Sequence, residues 1–186
     1  MAAQKELDLQ KNYFPQADAR VKSIYFGGGT PSLMKPEQIE QLIRQVYGFF
    51  PLEKKVEITV EANPEDLSVE YLSRLKEAGV NRLSIGCQSF IDDVLKKMNR
   101  RHNARQAKEG VLLAEKTGFT DISIDLIYGF PGMTTHQWKE QIKIALELPI
   151  QHISAYHLTI EPGTVFGVWK KQGKLKIPDE QTSVVI

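Results

Sequence analysis

The chain has 186 residues, 41% hydrophobic and 25% charged, with a formal net charge of +1. These values fit one globular domain with a sizeable core and exclude a polybasic nucleic-acid or membrane surface. No apolar run is long enough to span a bilayer, MAAQKELDLQ carries alternating charge unlike a secretory signal, and the single cysteine, Cys87, excludes an internal disulfide framework, which leaves the cytoplasm as default compartment.

In chain order, strand-like and helix-like segments alternate. Val21–Phe26 reads as a strand. Pro36–Phe50 reads as a helix, with Pro36 in its first turn and Ile39, Leu42, Ile43, Val46 and Tyr47 on one face. Val56–Glu61 is the next strand, followed by a helix over Ser68–Ala78 that Gly79 closes. Arg82–Gln88 is a strand, and a short helix follows near Ile91–Met98. Asn103, with Gln106 three residues on, opens a helix that ends at Gly118. Ile122–Tyr128 is a strand, and Thr134 with Gln137 forms a second capping box for a helix running toward Leu148. His152–Ile160 is the last strand; after Pro162 the pattern fades into KKQGKLKIPDE, where Lys170, Lys171, Lys174 and Lys176 read as a solvated tail.

This alternation predicts an α/β fold with parallel crossovers. The strand faces narrow it further. Val56, Ile58 and Val60 oppose Glu57, Thr59 and Glu61; Leu83, Ile85 and Cys87 oppose Ser84, Gly86 and Gln88; Ile122, Ile124 and Leu126 oppose Ser123, Asp125 and Ile127. A doubly covered parallel sheet should be apolar on both faces. One small or polar face instead suits a curved, partly open barrel, sealed outside by helices and lined inside for a ligand.

Several residues invite chemistry. The triple glycine of Phe26-Gly27-Gly28-Gly29-Thr30-Pro31 lets the backbone turn sharply and present its own polar groups. It matches neither GxGxxG nor GxxxxGK[ST], so a phosphate loop competes with a plain turn. Glu61 and Gln88 end their strands on the polar face, where a cap or a loop contact explains them as well as a ligand does. Asp125, inside an otherwise buried strand, needs hydrogen-bond donors or a cation, from an ion pair or from a ligand. Arg100, in Met98-Asn99-Arg100-Arg101-His102, is either a solvated turn residue or a guanidinium poised for a carboxylate. Cys87 reads as a small apolar packing residue. His102, His136, His152 and His157 show no metal-ligand spacing, and no residue is assigned a catalytic or metal-binding role.

Taken in order, FGGGTPS, EITVEANP, GVNRLSIGCQSF, the MNRRH turn, ISIDLIYGFPG and YHLTIEPGT resemble the oxygen-independent coproporphyrinogen III oxidases and their relatives in the radical S-adenosylmethionine (SAM) superfamily. The resemblance runs from Val21 to Thr164. It implies a partial (β/α)6 TIM-like barrel with SAM across the strand ends, its first strand missing from this chain. Residues 1–20, with a helix over Lys5–Phe14, would be the remnant of the first barrel helix and loop; 21–165 the barrel core; 166–186 the start of a C-terminal extension.

By the same resemblance, Gly28, Gly29 and Thr30 would contact the methionine part of SAM, and Arg100 its carboxylate. Glu61, Gln88 and Asp125 would hydrogen-bond its polar groups, ribose hydroxyls included, and Tyr156 would lie near a backbone contact to the adenosine. The family holds a 4Fe–4S cluster on CxxxCxxC, a motif these residues lack. The chain therefore reads as a partial gene product that cannot start radical chemistry as it stands. EANP, QSF and LTIEPGT resemble the heme-chaperone branch, whose members bind heme and pass it to respiratory proteins. The alternatives are a true oxidase, converting two propionates of coproporphyrinogen III to vinyls, and, outside the family, a phosphate-binding α/β enzyme using the GGGTP loop.

Overall fold

Strands β1 (Val21–Phe26), β2 (Leu52–Ala62), β3 (Arg82–Gln88), β4 (Ile122–Tyr128) and β5 (His152–His157) form one parallel sheet in the order β1-β2-β3-β4-β5. The computed structural model describes residues 2–13 and 20–175; Phe14, where the first helix is predicted to end, and Lys176 and the residues after it lie outside the described residues. A doubly wound sheet reverses its strand order at a switch point. Here the order never reverses, and the sheet curls into half of a barrel, as the strand faces predict.

The outward face is the core. Ile58 and Val60 of β2, Leu83, Ile85 and Cys87 of β3, and Ile122, Ile124 and Leu126 of β4 are all buried there. Against them pack α2 (Pro36–Phe49), α3 (Val69–Glu77), α5 (Ala104–Lys116) and α6 (Thr135–Leu146), through Ile39 and Ile43, Leu72 and Leu75, Val111, and Ala145. Each fully buried Leu or Ile contributes about 1.5–3 kcal/mol relative to an exposed one. Tyr47 is an exception to its predicted face: it is 45% exposed, because α2 presents only Ile39 and Ile43 fully to the sheet.

Local signals set the helix starts. Ser68 Oγ accepts from Tyr71 N at 3.1 Å. Asn103 and Gln106 exchange side chain–backbone bonds of 2.9 and 3.0 Å, and Thr134 and Gln137 bonds of 3.1 and 2.9 Å. Such caps are each worth about 1 kcal/mol. Some boundaries differ from expectation, α1 (Ala2–Gln10) among them, which begins ahead of the expected Lys5. β2 starts at Leu52, since Val21 pairs with Leu52 before the register jumps to Ser23–Glu57. β5 stops at His157, ahead of the turn that carries Pro162, which has no N–H for a ladder. Beyond it a further helix, α7 (Val165–Lys171), is capped by Thr164 and seated by Phe166 against Phe130, ring centroids 5.9 Å apart. At the other end α1 (Ala2–Gln10) rests on α2, where Gln45 Nε2 donates to the Gln4 carbonyl at 2.8 Å.

Candidate functional site

The inward face carries the polar residues, and at the C-terminal strand ends they line one cleft, open to solvent. Gly29, Thr30, Glu61, Gln88, Arg100 and Asp125, each singled out from the sequence, all reach it. Gly28 does not line it, but donates its N–H to Glu61 Oε2 at 3.2 Å. Tyr156 stands apart: it pairs with Ile127 on the edge strand, is 56% exposed, and does not line the cleft.

The triple glycine is required by close approach as well as by turning. Gly28 and Gly29 have φ of 77° and 64°, and a Cβ on Gly27 would stand 2.6 Å from the Tyr25 ring and 2.9 Å from Glu61 Oε1. That proximity lets Tyr25 donate its hydroxyl to Glu61 Oε1 at 2.8 Å. Partial burial, then the hydrogen bond and charge of Glu61, push the Tyr25 hydroxyl up to about 12, so it stays a donor at neutral pH.

Asp125 lines the cleft, half-buried. Burial raises its carboxyl above the usual range; a hydrogen bond from Ser154 opposes this, the charge of Glu61 adds to it, and Ser84 and Arg82 oppose it. Ser84 Oγ stands 3.5 Å from both carboxylate oxygens, and Ser123 Oγ donates to Ser84 Oγ at 3.1 Å.

Arg100 arrives from the end of α4 (Asp92–Lys97). Asn99 takes a left-handed φ of 55°, so that Arg100 N bonds the Leu95 carbonyl at 3.0 Å, a Schellman closure that turns the chain toward the cleft. Among the described residues no carboxylate lies within 4.0 Å of its guanidinium, and its Nε is buried without a partner. Burial lowers its affinity for the proton, and the charges of Glu65 and Asp125 partly restore it. The next turn is anchored firmly. Arg101 pairs with Glu65 and Asp66, each at 3.0 Å, and Asp66 accepts from Ser32 Oγ at 2.6 Å. The glycine loop, the segment after β2 and the MNRRH turn are thereby tied together.

Sequence reasoning missed Tyr25, Ser32, Asn63 and Ser84. Of these, Ser84 alone carried a signal, its place on the polar face of β3 beside Asp125 of β4. An isolated guanidinium, two carboxylates, a free amide and open backbone turns suit a ligand with a carboxylate, an ammonium and hydroxyls. They do not suit a phosphate: Glu61 and Asp125 would repel it, and after the glycines comes a 3-10 turn, Pro31–Leu33, with α2 starting only at Pro36.

The half barrel with a polar cleft at its strand ends is the fold of a radical SAM protein, and a radical SAM superfamily model matches residues 4–145. The chain belongs to the radical SAM superfamily. Within it, the sequence is similar to the heme chaperone HemW of Bacillus subtilis (strain 168), 42% identical over 162 residues, which are 87% of this chain and 43% of that protein. It is also similar to heme chaperone HemW of Escherichia coli (strain K12), 38% identical over 160 residues, 86% of this chain and 42% of that one. The fold matches coproporphyrinogen III oxidase (HemN) from Escherichia coli with a TM-score of 0.81 and 29% identity, over 100% of this chain and 42% of that one. The chain spans less than half the length of these relatives.

The superfamily implies SAM and a 4Fe–4S cluster. The cleft fits SAM: its orphaned buried Arg100 Nε needs a partner of the kind a carboxylate supplies. The cluster does not fit these residues. Cys87 is the single cysteine; it is fully buried in the core, where burial first, and then Asp125, push its thiol up.

Proposed function

We propose that this chain is the SAM-binding half barrel of a heme chaperone that delivers heme to respiratory proteins in the cytoplasm. One observation carries the ligand: Arg100, a cation with a buried unpartnered Nε, shares a cleft with Glu61 and Asp125. Arg100 would take the methionine carboxylate in a charge-assisted pair. Glu61, already held by Gly28 N–H and Tyr25, would accept from the ammonium beside the turn of Gly28, Gly29 and Thr30. Asp125 and the Gln88 amide would bind the ribose hydroxyls, and the edge at Tyr156 would border the adenosine. SAM and a cluster bound elsewhere would supply the redox chemistry; these residues bind and orient. Similarity to HemW of two bacteria supports the chaperone branch.

The structural match to HemN favours a second reading, a porphyrinogen oxidase that decarboxylates coproporphyrinogen III. The protein expressed from its complete reading frame, with cluster rebuilt anaerobically, separates the two. Stable heme binding without turnover supports the chaperone; robust conversion of coproporphyrinogen III to protoporphyrinogen IX overturns it.

A further inference from the structure

Two of the buried polar residues, His102 in the turn before α5 and Gln141 in α6, direct their hydrogen bonds at the same short turn. β3 does not end as a regular strand. Ile85 pairs with Ile124 but Gln88 with Leu126, so one extra residue is inserted at Gly86–Cys87. Ser89 N then bonds back to the Cys87 carbonyl at 2.7 Å, with Gln88 between them at φ 63°. This is a γ-turn of positive φ, the rarer and more strained form, and a side chain bearing residue at its centre holds that strain only when its surroundings impose it.

The surroundings do impose it. On one side His102, 4% exposed, donates Nε2–H to the same Cys87 carbonyl at 3.0 Å, while its Nδ1 lies 2.8 Å from Glu65 Oε2. On the other, Gln141 of α6, 1% exposed, accepts through one oxygen from Ser89 Oγ at 2.6 Å and from Phe90 N at 2.9 Å. Ser89 Oγ in turn accepts from Ile91 N at 3.1 Å. The product is the placement of the Gln88 amide. Its Nε2 lies over Gly86, where a Cβ would stand 2.9 Å from it and 3.3 Å from Arg100 Nη2, and it lines the cleft.

We propose that His102 and Gln141 are positioning residues that clamp the turn at Gln88 and so aim its amide into the ligand cleft beside Arg100. The ligand half of the proposal rests on the SAM reading above. The clamp explains why a buried amide and a buried imidazole occupy an otherwise apolar layer, where unpartnered polar groups are costly.

Two measurements test it. In the complete protein, equilibrium dialysis with labelled SAM should show Gln141→Leu and His102→Leu each weakening binding about tenfold. His102→Gln, which keeps an N–H for the Cys87 carbonyl, should recover most of that loss. In a Gln88→Gly background, Gln141→Leu should cost nothing further, because the group it positions is gone. An equal loss in both backgrounds overturns the proposal. The second measurement does not need the clamp variants to fold. Gln88→Gly alone should raise the thermal midpoint, since glycine adopts φ 63° without strain, while SAM binding weakens. A lowered midpoint overturns the clamp. If the unsubstituted protein fails to bind SAM, the functional reading falls with the ligand half of the proposal, whereas a raised midpoint in Gln88→Gly still supports a strained, clamped turn.

Discussion

Arg82 and Arg100 both belong to the inner side of the half barrel, at opposite ends, and they live in opposite environments. Arg82, at the N-terminal end of β3, is surrounded: Glu57 at 3.6 Å, Asp121 at 3.3 Å, and the hydroxyls of Thr59 and Ser123 at 3.4 Å. Arg100, at the C-terminal mouth, has no carboxylate within 4.0 Å among the described residues and a buried Nε with no partner. A fold that can saturate one guanidinium with four groups does not leave another bare for lack of acceptors. The floor is completed internally; the mouth keeps an unpartnered buried nitrogen, as the proposed ligand requires. This division follows the general rule for parallel barrels, stability at the N-terminal face and ligands at the C-terminal face.

Exchanging each arginine for methionine breaks the comparison most directly. Arg100→Met should weaken SAM binding about 100-fold, the cost of removing one partner of a desolvated charge pair. Folding stability should hold or rise, because the variant discards a buried cation without a counterion. Arg82→Met should do the reverse. Glu57 and Asp121 are about half exposed, so solvent screening limits the loss to about 1–2 kcal/mol of stability, with SAM affinity unchanged. Urea denaturation and equilibrium dialysis read both quantities. Loss of affinity in both variants would dissolve the distinction between floor and mouth.

Asp125 sharpens it. Burial raises its carboxyl, so the folded chain holds this proton more tightly than the unfolded one. The folded state then binds more protons than the unfolded state above the ordinary value of 3.8, and stability falls as pH rises from there through the raised value. Above that window the deficit persists. Asp125→Asn should remove it, raising the thermal midpoint at pH 7 by about 2 °C while weakening SAM binding about tenfold. Thermal melts between pH 3 and pH 7 should show the gap between variant and parent widening with pH. A gap that closes would mean Asp125 is stabilised as a carboxylate by its serines, and belongs to the floor.

Much of this division is legible in the residues themselves. Alternation in β2, β3 and β4 puts Glu61, Gln88 and Asp125 on one polar face, and a parallel order then brings their strand ends together. The capping boxes at Asn103 and Thr134 are local chemistry and fix the starts of α5 and α6. What is not legible depends on long-range contact. The inserted residue before Gln88 leaves the alternation intact, because Gly86 and Cys87 keep their expected sides while the register with β4 shifts. Tyr25 and Ser84 look like ordinary strand residues until Glu61 and Asp125 arrive from the neighbouring strands. Helix α7 is short and follows Pro162-Gly163, so breakers dominate its local signal. Tyr47 falls on the apolar face of α2 by spacing but beyond the reach of the sheet.

The smallest effects come from two tyrosines whose hydroxyls are both pushed up to about 12. At Tyr25 the causes are partial burial and then Glu61, to which it donates; at Tyr71 they are burial and then the charge of Asp66, and its buried hydroxyl has no partner. Each keeps its proton in the folded chain past the ordinary value of 10, where the unfolded chain loses it, so stability falls as pH rises from 10 toward 12. Tyr71→Phe and Tyr25→Phe should each flatten that alkaline fall. At pH 7 they should part company. Tyr71→Phe removes an unsatisfied donor and should add about 0.5–1 kcal/mol with SAM affinity untouched. Tyr25→Phe unseats Glu61 and should weaken SAM binding about threefold, with little change in stability. If Tyr25→Phe leaves affinity alone, Glu61 is held by Gly28 N–H unaided, and the hydroxyl belongs to the frame of the mouth and not to its ligand contacts.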